Sequence, residues 1–238
     1  VTSAAADSSS SQQLASTAAL LSDWIYLKGR GMDPLASPDS LKEFAKKSLK
    51  AKLPTAELSL LQFARNQPTD STGEVLNLDG ESSGIQYAIV KQQSTTYVVF
   101  RGTADLTDWS VNALITPNAM WRTEGNLQVH GGMLTELQNV AADALSLLRK
   151  KLGELGAEHG KIIVCGHSLG GAYATLAAAF LLDKKIPVTK VFGFGAPQVV
   201  WKGQEENPLW KQVHERLETY VHRCDIVPRT LGPDAEWW

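Results

Sequence analysis

Lys161-Ile-Ile-Val-Cys-Gly-His-Ser168-Leu-Gly-Gly-Ala172 joins a short β-branched run to an Ala/Leu-rich run through Gly-x-Ser-x-Gly. Ile162, Ile163 and Val164 favour a strand, and Ala172 to Leu182 favours a helix. Together they have the form of a nucleophile elbow, a sharp strand-to-helix turn that lifts a serine out of a sheet. Gly166 and Gly170 flank Ser168 because the two backbone segments approach closely there and a Cβ at either place is expected to clash. The serine Oγ would then stand at a helix N-terminus, where N–H groups and the helix dipole favour developing negative charge.

The rest of the chain agrees with a globular α/β protein. Its 238 residues are 43% hydrophobic, and the length suits one large domain. We expect a Ser/Ala-rich flexible tail over 1–13 and a single domain over 14–238. The chain starts with Val rather than Met, which suggests a processed or trimmed N-terminus and leaves localisation open. A net charge of −2 without basic runs excludes an electrostatic footprint for nucleic acid. No segment has the apolar length of a transmembrane helix, so any membrane contact is expected to be peripheral. Cys165 and Cys224 each close a predicted strand and read as buried free thiols; no Cys/His cluster suggests a metal, and no cofactor motif occurs.

Helical spacing of Leu14, Ala18, Leu21 and Ile25 predicts a first helix, and Ser37-Pro38 can cap a second with Leu41, Phe44, Ala45 and Leu49 on its face. Pro54 to Arg65 reads as a third. Strands are expected over Gly84–Lys91 and Thr95–Phe100, a long helix over Gly132–Leu152, then the elbow. Strand Val188–Phe194, helix Asn207–Leu217 and strand Thr219–Cys224 complete the pattern. Strands alternating with helices imply a mainly parallel sheet covered on both faces, with active residues at the C-terminal strand ends.

Asp225 follows the last expected strand and belongs where a triad acid would emerge beside Ser168, although in isolation an Asx-turn ahead of Pro228 explains it equally well. Six motifs occur in order: Phe100-Arg-Gly-Thr103, Asp108-Trp109, Val129-His130-Gly131, Gly166-His-Ser-Leu-Gly-Gly-Ala172, Phe194-Gly-Ala-Pro197 and Asp225-Ile-Val-Pro228. In order and spacing they resemble the class 3, fungal-type lipases, over roughly residues 84 to 228. The resemblance implies an α/β-hydrolase fold, Ser168 as nucleophile and Asp225 as triad acid. It also implies an oxyanion hole from Thr103, through its backbone N–H and hydroxyl, and from the backbone N–H of Leu169. His130 and His167 match family positions too, but as scaffold histidines near the site. Between Thr103 and His130 the family has a lid; here that stretch holds Leu106, Trp109, Val111, Leu114, Ile115, Met120 and Trp121, and core-completing aromatics remain the equal alternative.

The family's catalytic histidine follows its acid, whereas His130, His159, His167, His214 and His222 all precede Asp225. Two readings therefore stay open. In one, a C-terminal piece carrying the base is missing from the sequence and the protein is an acyl-lipid ester hydrolase working through an acyl-enzyme. In the other, it is a catalytically inactive lipase-like subunit that holds lipid or a protein partner. The expected partner is an acyl lipid or a lipid surface, with a protein partner added in the second reading.

Overall fold

The computed structural model describes residues 2–27, 38–62, 87–102, 119–120, 126–131, 133–134, 137, 141–201, 203–223, 225 and 227–229. Its centre is a six-stranded sheet formed by β1 (Ala56–Gln62), β2 (Tyr87–Gln92), β3 (Thr95–Phe100), β6 (Lys161–His167), β7 (Val188–Phe194) and β8 (Leu217–Tyr220), side by side in that order. A small antiparallel pair, β4 (Ala119–Met120) and β5 (Gln128–Val129), stands apart from it. β1, β2 and β3 run antiparallel, and β3, β6, β7 and β8 are mutually parallel. Parallel neighbours need crossovers, and helices supply them.

Helices cover both faces, as the sequence implies. α1 (Thr2–Trp24) and α2 (Pro38–Lys52) pack on one, where Ala18, Leu21, Trp24, Ala45 and Leu49 meet Val90, Val99, Ile163 and Phe192. On the other lie α3 (Ala141–Glu154), α4 (Leu169–Asp183) and α5 (Pro208–His214), where Leu148, Leu176, Leu181 and Trp210 meet Ile89, Val98, Val164 and Val191. Strand residues thus alternate between two cores, which explains why β6 is apolar throughout its middle rather than at every second position. α4 is also buried nearly all round, so its Ala/Leu run shows no polar face.

Two expectations are corrected. The 1–13 segment, read as a flexible tail, is helical from Thr2: it contains no Gly or Pro, alanine favours the helix, and Ala15 and Ala18 anchor the same helix in the core. The 54–65 segment, read as a helix, is strand β1. Its Leu58-Ser-Leu60-Leu61 run looks helical because a bulge lies inside it: Leu58 pairs with Val90 and Leu60 with Ile89, so Ser59 is the extra residue. Leu58 faces the α1/α2 core, Leu60 the α4 core and Leu61 the α1/α2 core again.

Candidate active site

The strand ends of the parallel half converge on one edge. Phe100 pairs with Gly166, His167 with Phe194, and Phe194 with Tyr220. The chain then turns at each end: Ser168 N donates to Phe194 O at 2.9 Å, and Gly195 N to Tyr220 O at 2.8 Å.

Ser168 sits between β6 and α4 with φ 54° and ψ −131°, a backbone conformation that costs a non-glycine residue about 1–3 kcal/mol. The tight packing around it maintains that strain. A Cβ on Gly166 would collide with Gly170 O, and one on Gly170 would lie 2.8 Å from Gly102 N, so the elbow and the end of β3 are in backbone contact. The expected clash at both glycines is therefore present. Ser168 is 2% exposed, and its Oγ has no hydrogen-bond partner among the described residues. Leu169 opens α4, where the first N–H groups of a helix lack intrahelical acceptors. Gly171 N and Ala172 N already turn to Ser168 O, at 2.8 and 3.4 Å. Thr103 lies outside the described residues, as do Cys224 and most of the 104–128 stretch read as a lid.

Asp225 reaches the same edge by a different route from the one expected. β8 ends at Tyr220, earlier than the Thr219–Cys224 strand read from the sequence, and a turn closed by Asp225 N donating to His222 O at 2.9 Å brings the carboxylate back. Its Oδ1 accepts from Val227 N at 3.0 Å, the Asx-turn weighed above, while Oδ2 lies where a Cβ on Gly195 would be. Gly195, at φ 57°, is what leaves room for it. Ser168 and Asp225 thus follow β6 and β8, the strands on either side of β7, with His167 near both.

The described histidines divide by environment. His130 is buried and accepts from Met133 N through Nδ1 at 3.3 Å; burial lowers its pKa. His167 hydrogen-bonds Tyr26 Oη through Nδ1 at 2.9 Å. Part of its ring is open to solvent, yet crowding around the imidazole lowers its pKa, against the upward pull of Asp225 and Asp23. His214 packs on Trp210, and His222 is exposed beyond β8. None of them is hydrogen-bonded to Ser168 Oγ. Tyr26 carries no motif and was not legible in the sequence, because its partner is 141 residues away. Among the described residues no group of His, Cys, Asp and Glu could hold a metal ion.

A strained serine on a strand-to-helix turn, a carboxylate at the same sheet edge and a helix N-terminus facing the serine define the class of α/β-hydrolase-like proteins. The family model described as lipase (class 3) matches residues 97–234, more than half of the sequence, and this chain belongs to that family. It is 28% identical over 185 residues to a lipase of Rhizopus niveus, covering 71% of this chain and 42% of that protein. It is 31% identical over 154 residues to the chloroplastic phospholipase A(1) DAD1 of Arabidopsis thaliana, covering 57% of this chain and 33% of that one. The chain therefore spans less than half the length of either. The structure of lipase II from Rhizopus niveus matches with a TM-score of 0.67 at 20% identity, over 96% of this chain and 78% of that one. That likeness carries the fold.

Proposed function

We propose that this chain is the nucleophile-bearing part of a serine ester hydrolase acting on acyl lipids, in a single lipase-like domain over 14–238. Ser168 would attack the ester carbonyl, Leu169 N–H and Thr103 would bind the oxyanion, and Asp225 would orient the imidazole that takes the serine proton. The observation that carries this reading is the strained, buried Ser168 whose Oγ no described residue engages, placed at the N-terminus of α4. Strain of that kind is retained where chemistry requires it. Tyr220 and Val221, both 45% exposed, give the same sheet edge an apolar rim that suits a lipid substrate. The names of the relatives, a lipase and a phospholipase A(1), point the same way.

The mechanism requires a general base facing Ser168 Oγ, and a histidine downstream of Asp225 in the full-length protein would have the family's order. A fluorophosphonate probe should label full-length protein stoichiometrically at Ser168, and S168A should abolish both labelling and hydrolysis of a short-chain glycerol ester. Labelling that persists in S168A would place the chemistry elsewhere. No labelling of a folded protein that still binds lipid vesicles would favour the non-catalytic, lipid-holding reading.

A further inference from the structure

The Tyr26 hydroxyl joins two strand ends that are far apart in the chain. It lies 2.9 Å from His167 Nδ1 and 3.4 Å from His167 O, and it is packed directly against Gly102. Its ring meets the His167 ring edge-on, with centroids 5.7 Å apart, and lies under the Arg101 guanidinium, 5.8 Å from the ring centre. Burial raises the pKa of the phenol, opposed by the Arg101 charge and by the Gly102 backbone beside it. A phenol has one proton and an oxygen that accepts. Two acceptors lie within its reach, and the proton goes to the nearer one, Nδ1. Neutral His167 then carries its own proton on Nε2. That nitrogen and Asp225 Oδ2 flank one point, the Cβ position of Gly195, with Nε2 3.8 Å from it.

We propose that Tyr26 is a positioning residue of the acyl-transfer site: its hydroxyl fixes His167 as the Nε2–H tautomer turned toward Asp225 and ties the Gly102 backbone to the elbow. The proposal rests on the hydrolase reading above. Gly102 follows the end of β3, so the contact holds that end in register with the elbow. The Asp225 charge acts on the imidazole, so a proton on Nε2 helps hold the carboxylate on the Gly195 side, without His167 hydrogen-bonding Ser168 Oγ. Neither residue exchanges a proton with substrate, so the effect is on geometry alone.

The test is Tyr26→Phe in full-length protein, which keeps the ring and its stacking under Arg101 and removes only the hydroxyl. Side-chain ¹⁵N shifts should report wild-type His167 as the pure Nε2–H tautomer, and Y26F as a mixture with faster exchange of the Gly102 amide. On a soluble short-chain ester, kcat should fall about tenfold with KM unchanged, as expected when catalytic groups are slightly misplaced. A wild-type Nδ1–H tautomer, or a Y26F pattern identical to wild type, would overturn the assignment; the wild-type spectrum decides this even if Y26F folds poorly. A shifted tautomer with kcat unchanged would overturn the positioning role while leaving the hydrolase reading intact. Absence of turnover in wild type would instead sink the hydrolase reading, and the positioning role with it, whatever the spectra show.

Discussion

Ser168 concentrates two unfavourable features in one residue: a positive φ at a position with a Cβ, and a buried hydroxyl without a described partner. Each costs stability, the first about 1–3 kcal/mol and the second about 1–3 kcal/mol. Ser168→Gly removes both, against a smaller entropic penalty for the added glycine. It should therefore raise the unfolding free energy by about 1–3 kcal/mol while eliminating any esterase activity, as read by urea denaturation at pH 7. A less stable S168G would mean that Oγ makes a bond worth more than the strain. Ser168 and Leu169 were legible because the elbow is local, its whole logic lying within Gly166–Gly170. Asp225 was half legible: its strand-end position could be read, but not the Gly195 gap that admits its carboxylate. Tyr26 could not be read at all, since nothing near it in sequence marks a residue whose partner belongs to β6.

At the scale of elements, the sequence was legible wherever packing repeats. β3 and β7 occupy the expected spans, because uninterrupted β-branched and aromatic runs between turn residues leave little choice. β1 was not legible, because a bulge breaks the two-residue period and brings leucines into helix-like spacing. This predicts a specific tolerance. Deleting Ser59 leaves Leu58, Leu60 and Leu61 on their present faces and restores regular pairing with β2, so thermal stability should change by no more than about 1 kcal/mol. A loss beyond about 2 kcal/mol would show that the added twist of the bulge, rather than the side-chain facing, is what α2 packs against. The start of α1 was misread for a different reason: Ser-rich composition suggests a tail, while the anchoring contacts that favour a helix lie further along at Ala15 and Ala18.

For the molecule as a whole, two imidazoles with lowered pKa set an acid limit. Burial lowers the pKa of both His130 and His167 in the folded state, so the unfolded chain takes up these protons first as pH falls. Their contribution to stability is complete above the unfolded value of about 6.5, and it declines as pH drops below that toward the folded values. Melting temperature should therefore fall between pH 7 and pH 5, and His130→Asn, whose amide oxygen still accepts from Met133 N, should flatten part of that slope. An unchanged slope in H130N would assign the acid limit to other groups. Protein synthesis sets a second constraint, in time rather than in acidity. The apolar face of α1 is covered by β6, and the Tyr26–His167 contact closes a loop of 141 residues. At about 5–20 residues per second, a ribosome takes on the order of 7–30 s between making one side of that contact and the other. For all of that interval Leu21, Trp24 and Ile25 have only α2 and the β1–β3 strands to pack against, without β6 and β7. The face of α1 that β6 covers is thus made well before its cover, so the nascent chain passes through a period when that apolar surface is exposed.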